Sequence, residues 1–230
     1  KYEVKVHLNT KATVESLSAF DEIVLATGIK PRTPDIKGID HPKVVSYIDV
    51  ITKRKEVGAC VAIIGAGGIG FDVAEFLTSE HQMNVNEFYD EWGIDIHGEH
   101  RGGLKHPEIA VSPRQVYLLQ RKKEKMGQGL GKTTGWIHRL SLKHKQVKMI
   151  SGVQYEQIDD LGLHVIIDEK RELLPVDTIV ICAGQTELKE LFAPLKELGK
   201  SVHLVGGAYK ALELDARHAI DQATRLAALI

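Results

Sequence analysis

Four apolar residues, Val61-Ala62-Ile63-Ile64, run straight into Gly65-Ala66-Gly67-Gly68-Ile69-Gly70, and Phe71-Asp72-Val73-Ala74-Glu75-Phe76-Leu77 follows. A buried strand, a G-x-G-x-x-G turn and an amphipathic helix are the order that a dinucleotide pyrophosphate site requires. Gly65 permits the tight turn, and Gly67 lets the backbone approach the phosphates. Gly70 lets the helix sit close on the strand, so that its N-terminal N–H groups point at the anion. A glycine pattern alone is weak. Here the strand before it and the helical spacing of Ile69, Val73, Phe76 and Leu77 after it are both present. A glycine-rich structural turn stays open as the alternative.

Composition excludes more than it selects. A chain of 230 residues, 43% hydrophobic and 27% charged, has the make-up of a globular protein with one or two cored domains. A net charge of −1 gives no reason to expect nucleic acid or an acidic membrane as partner. No apolar run approaches the roughly 20 residues of a membrane span, and no signal-peptide pattern opens the chain. Cys60 and Cys182 are far apart and lie in or beside apolar strands, so they read as buried thiols in a reducing cytoplasm. Without a C-x-x-C, thiol–disulfide exchange is not expected. The histidines, His138, His144, His164 and His203 among them, do not fall at metal spacings, and no metal is assigned. The opening at Lys1, in what reads as mid-strand, suggests a fragment of a longer protein.

The order of segments suggests an α/β chain. Residues 2–8 alternate as a half-buried strand, and Phe20 to Gly28 reads as a buried strand ending Ala26-Thr27-Gly28. Ser46 caps a short helix, and Lys53 to Gly58 is a charged connector before the strand at Val61. Residues 80–113 form a polar insertion, rich in glycine and without clear periodicity, of a length usually kept for function or interaction. Strand character resumes at Gln115–Leu119, and a glycine loop, Gly127 to Gly135, leads into a helix. Val147–Gly152 and Leu163–Ile167 read as strands, with Asp159 to Gly162 as a hairpin turn. Asp177 to Gln185, with Cys182-Ala183-Gly184, repeats the layout of 21–28. A last strand, Val202–Gly207, and an amphipathic helix over 213–229 complete the chain.

The residues after the second strand decide which nucleotide the glycine turn takes. An NAD site carries an acid there for the ribose hydroxyls, and that acid repels a 2′-phosphate. This chain has Gln120, then Arg121 and Lys122. One charge-assisted bond to phosphate is worth about 1.5–3 kcal/mol, so each cation can supply roughly ten- to hundredfold preference for NADPH. A solvated basic turn is the plainer alternative. Gly131-Lys132-Thr133 invites a P-loop reading, but Met126 stands where that motif needs glycine, and no clean strand precedes it. Asp72, near the start of the helix, is either a simple partner of the helix dipole or a residue that orients a nicotinamide.

Two strands ending Ala-Thr-Gly (26–28) and Cys-Ala-Gly (182–184), flanking a G-x-G-x-x-G segment, resemble the two-dinucleotide-binding flavoproteins. In those an NAD(P) domain is inserted into an FAD domain. A closer likeness covers essentially the whole chain. Thr27-Gly-Ile-Lys-Pro-Arg-Thr-Pro, Glu91-Trp-Gly-Ile-Asp, Ser112-Pro-Arg-Gln, Gly127-Gln-Gly-Leu-Gly-Lys-Thr-Thr-Gly-Trp-Ile-His-Arg and Glu213-Leu-Asp-Ala-Arg resemble the C-terminal part of bacterial NADPH-dependent 2,4-dienoyl-CoA reductases. The resemblance implies a three-layer Rossmann-like NADPH-binding domain over 56–184, inserted in an incomplete FAD-binding domain made of 1–55 and 185–230. It also implies a relay from NADPH to FAD, then through an iron–sulfur cluster to FMN in a flavin barrel, for the oxidation of unsaturated fatty acids. Arg121 and Lys122 match the NADP-phosphate positions, and Ala12, Trp136, Gly206 and the run Glu213-Leu214-Asp215 match FAD contacts. Gly207 stands where the broader family often has an acid, so contact there falls to backbone N–H groups.

The departures imply limits. The FAD glycine motif, the cluster cysteines and the barrel with its proton donors are missing from the sequence, and no catalytic residue is assigned. The fragment is expected to bind NADPH, to hold FAD poorly and to turn over no dienoyl-CoA. A same-architecture reductase of another alkene or amine, and a non-catalytic nucleotide-binding module, remain the alternatives.

Overall fold

A computed structural model describes residues 3–79, 83–211 and 216–230. The chain opens with α1 (Val14–Leu17), β1 (Glu22–Leu25), β2 (Ile29–Pro31), β3 (Val44–Ser46) and α2 (Tyr47–Ile51). Next come β4 (Cys60–Ile64), α3 (Gly68–Thr78), α4 (Val85–Trp92), β5 (Gln115–Leu119), α5 (Gly135–His144) and β6 (Lys148–Ile150). The strands β7 (Gln154–Asp159), β8 (Gly162–Ile167), β9 (Lys170–Leu174), β10 (Thr178–Ile181) and β11 (Gln185–Glu187) follow, and α6 (Phe192–Glu197), β12 (Ser201–Leu204) and α7 (Ala216–Ala227) close the chain. Two compact units result: residues 32–184, and residues 1–31 with 185–230.

The 32–184 unit is built on a parallel five-stranded sheet in the order β3-β10-β4-β5-β6. Successive side chains of a strand point to opposite faces, and here both faces are covered. Val61 and Ile63 of β4, Val116 and Leu118 of β5 and Val180 of β10 pack with Val50, Phe71, Val73, Ala74, Leu77 and Leu142 of α2, α3 and α5. Ala62, Ile64, Tyr117, Leu119, Ile179 and Ile181 face the other way, onto Ile158, Leu163, Val165 and Leu174 of the antiparallel sheet β7-β8-β9. The three layers are therefore helices, parallel sheet and antiparallel sheet. Near-continuous apolar runs in β4, β5 and β10 are what burial on both faces demands.

The other unit is smaller. β1 and β12 pair in parallel over a core of Ile23, Leu25, Leu195 and Val202. β2 and β11 pair antiparallel. The echo between 21–28 and 177–185 has its counterpart here, since each of the two strands ends at a glycine followed by one arm of that ladder.

Several expectations need correction. Residues 3–8 form no strand: Val4, Val6 and Leu8 are 76%, 72% and 79% exposed, because alternation makes a strand only where a partner lies beside it. Within the segment 80–113, the described residues 83–113 are less irregular than they read. Asn84 caps α4 through a reciprocal bond with Glu87, and Gly93 closes the helix in the left-handed conformation. That capping signature is legible in the sequence. α4 docks through Glu91, whose carboxylate meets the Lys145 ammonium at 3.0 Å with both side chains buried. Beyond it the Asp95 carboxylate accepts from the His97, Gly98 and His100 N–H groups. The His100 amide, against the cost of burial, leads the set of bonds that holds Asp95 down at about 2. β7 and β9 are not legible in the sequence, because a register shift between Tyr155 and Gln157 breaks the two-residue alternation in β7 and β9 buries Leu174 alone. Finally, β3 hydrogen-bonds to β10, and the compact unit that holds the five-stranded sheet runs from Arg32 to Gly184.

Candidate functional site

The site forms where parallel strands end together. β4, β5 and β10 are in register, so Gly65, Gln120 and Cys182 emerge at one edge of the sheet. Strand order reverses at β4, with β5 on one side and β10 on the other, which is the switch point where α/β sheets take ligands.

Gly65 has φ +112°, and a Cβ there would overlap the Cys182 carbonyl. Its N–H donates to the Leu119 carbonyl at 2.9 Å, tying the turn to the end of β5. A Cβ on Gly70 would overlap the Gly65 carbonyl oxygen, so the first turn of α3 lies against the strand only without a side chain. Gly67 is the N-cap of α3 and supplies no side-chain bond to the first amides of the helix, which suits an anion site. A Cβ on Gly68 would meet open space.

Arg121 and Lys122 follow Gln120 at the end of β5, and both are exposed. The Lys122 ammonium stands 3.9 Å from Glu124 with its side chain 75% exposed. Arg121 reaches close enough to Tyr155 for its charge to oppose the rise that burial imposes on that phenol. The structure thus brings Gly65, Gly67, Gly70, Arg121 and Lys122 to one edge of one unit. Trp136 belongs to the same unit, 54% exposed in the first turn of α5. The loop before it rests on α3: a Cβ on Gly127 would press on the Phe71 ring, and Arg139 donates to the Gly127 carbonyl at 3.1 Å. Asp72 is exposed, whereas Glu75 meets His138 at 2.9 Å.

Ala12, Gly206 and Gly207 lie in the other unit. Ala12 is exposed. Gly206 and Gly207 begin the single turn after β12, where the Gly206 N–H donates to the Gln222 side chain at 2.8 Å. Glu213, Leu214 and Asp215 lie outside the described residues.

The sequence reading missed Arg32. Its Nε donates to the Ala183 carbonyl at 2.9 Å, and its own N–H to the Gly184 carbonyl at 3.0 Å. A cation therefore sits beside the end of β10. Its position directly after Pro31 was the available signal.

The cysteines cannot bridge. Register along parallel strands, at roughly 3.3 Å per residue, separates Cys60 from Cys182 by about 16 Å. Burial pushes the Cys182 thiol up to about 12, and Cys60, half-buried rather than buried, is also raised, by burial and by Asp177. Neither is poised as a nucleophile. Among the described residues no cluster of three or more His, Cys, Asp or Glu is placed to hold a metal, and no helix is long and apolar enough to cross a membrane.

Comparison with known proteins bears on this geometry. A family model described as pyridine nucleotide-disulphide oxidoreductase matches residues 2–219. A metal reductase of Desulforamulus reducens is 27% identical over 232 residues, covering 94% of this chain and 33% of the relative. A cinnamate reductase of Clostridium sporogenes is 44% identical over 79 residues, 34% of this chain and 12% of its own length. Among solved structures, a 2-naphthoyl-CoA reductase superposes with a TM-score of 0.73 at 21% identity, over 94% of this chain and 28% of its own. Histamine dehydrogenase from Rhizobium sp. 4-9 gives 0.66 at 15%, over 95% and 32%. The chain spans a third or less of the length of each of these proteins, and the structural likenesses speak for the fold.

Proposed function

The chain belongs to the pyridine nucleotide-disulphide oxidoreductase family, and on that premise we propose that it is the NADPH-oxidising, FAD-linked electron-input module of a 2,4-dienoyl-CoA reductase acting on unsaturated fatty acids. The observation that carries the nucleotide half is the Gly65 N–H bond to Leu119, which sets the glycine turn beside the strand end from which Arg121 and Lys122 project. The residues suit the group. Gly65 and Gly70 leave no room for side chains and Gly67 supplies no side-chain bond to the helix amides, so backbone N–H groups of the turn would hold the pyrophosphate. Arg121 and Lys122 would hold the 2′-phosphate.

FAD contacts fall, in this reading, to Ala12, Trp136, Gly206, Gly207 and Glu213-Leu214-Asp215, with 56–184 as the nucleotide domain and 1–55 and 185–230 as parts of the flavin domain. The Gly206 N–H bond to Gln222 must open before that amide serves a ligand. When bound, NADPH supplies a hydride and FAD the acceptor for it. This chain's residues bind and orient both. The flavin barrel, its FMN and the 4Fe–4S cluster belong to parts of a longer polypeptide, in a reducing cytoplasm that suits two unbridged thiols.

Calorimetric titration with NADPH and NADH tests the nucleotide half. NADPH should bind tighter by at least about tenfold, and Arg121→Ala with Lys122→Ala should erase the difference. Equal affinities in the parent chain would sink the phosphate assignment. A second reading keeps the module and changes the substrate to another alkene or an amine, and it is favoured by the cinnamate reductase and the histamine dehydrogenase among the related proteins. NADPH oxidation by the longer polypeptide, driven by cinnamate or by an amine and not by a 2,4-dienoyl-CoA, would select it.

A further inference from the structure

The turn that carries the two cations is held from within by its first residue. Gln120, half-buried, folds its side-chain amide back so that Nε2 donates to the Lys122 carbonyl at 3.0 Å and to the Glu124 carbonyl at 2.9 Å. The backbone secures the same turn. Gln120 N–H donates to Ile150, Val153 N–H to Gln120 and Gly152 N–H to Lys122, at 2.9, 3.0 and 3.0 Å. The Lys122 carbonyl therefore has both lone pairs engaged, and the Glu124 carbonyl has one.

We propose that Gln120 is a positioning residue for nucleotide specificity, holding the backbone from which Arg121 and Lys122 reach a 2′-phosphate. This role rests on the NADPH reading above. Carbonyl oxygens are the negative ends of peptide dipoles, and two of them turned toward an incoming phosphate would oppose it. Engaged by a neutral amide, they leave the cations as the dominant charges of the turn. Glutamine is suited to this because it is both a donor and uncharged. Glutamate of the same size has no N–H to offer the two carbonyls and would add a negative charge beside the phosphate. Methionine keeps the length and the packing but donates nothing.

The test is the ratio of affinities for NADP+ and NAD+, measured by calorimetry on the full chain, with thermal melting to show that each variant is folded. A merely structural role weakens both nucleotides together and leaves the ratio unmoved. Gln120→Met should lower the ratio by about tenfold, and Gln120→Glu by at least as much. In the Arg121→Ala, Lys122→Ala background, Gln120→Met should not change the ratio further, because the residue acts through those side chains. A ratio within about twofold of the parent's in Gln120→Met, whatever Gln120→Glu does through its added charge, or an equal fall with the cations removed, would overturn the role while leaving the NADPH reading in place. A parent chain that does not distinguish the two nucleotides would overturn both.

Discussion

At the residue scale the glycine turn makes a sharp distinction between neighbours. A methyl on Gly70 would overlap the Gly65 carbonyl oxygen, whereas one on Gly68 meets nothing. Gly70→Ala must therefore push α3 off β4, and the strain of such overpacking is about 1–3 kcal/mol. Gly68→Ala should stay within about 0.5 kcal/mol of the parent. Urea midpoints at unchanged slope would show the difference, and NADP+ affinity should fall with Gly70→Ala. Equal midpoints for the two variants would mean that the close approach is not needed. Gly70 is legible because it meets the Gly65 carbonyl within its own strand–turn–helix. Arg121 and Lys122 are legible as cations after a strand end. The backbone bonds that secure their turn are not, because Ile150 and Val153, which pair with Gln120, and Gly152, which donates to Lys122, reach it only after α5 has returned the chain to β6.

At the element scale, α4 is held by a contact that no local pattern announces. Glu91 is spaced within α4, and Lys145 follows α5, yet their side chains meet at 3.0 Å with 5% and 7% exposure. The Lys145 ammonium also lies 3.4 Å from the Ala110 carbonyl, so both ends of the segment close on one charge. Removing one partner of a buried pair strands the other, at a cost of about 3–5 kcal/mol. Lys145→Met should show that loss in chemical denaturation. Glu91→Leu combined with Lys145→Met should recover much of it, since no charge is then left buried. A double variant no more stable than Lys145→Met alone would show that the pair itself, and not the relief of a stranded carboxylate, holds α4. The helix could have been read from Asn84, Glu87 and Gly93. Its docking could not, because 54 residues separate the pair.

For the whole molecule, the division into units follows from where strands find partners. β3 lies near the first elements in sequence and pairs with β10, through Val44–Ile179, Val45–Val180 and Ser46–Ile181. That pairing is not legible in the sequence, because strands more than 130 residues apart leave no trace of each other in either segment. The same pairing predicts unequal stability. In 32–184 a five-stranded sheet is buried between two apolar clusters. In the other unit a two-stranded parallel pair covers one small core, and parallel strands depend on cover from both faces. Amide exchange should therefore be slowest in β4, β5 and β10 and faster in β1 and β12, with opening free energies falling into two groups. NADP+ at 100 times its dissociation constant should raise the slow group by up to about 2.7 kcal/mol, because the nucleotide stabilises only the state that binds it. If the glycine turn and the two cations make up the whole binding site, β1 and β12 should not respond. Equal protection of both groups by the nucleotide would show that residues outside 32–184 fold with the site as one unit.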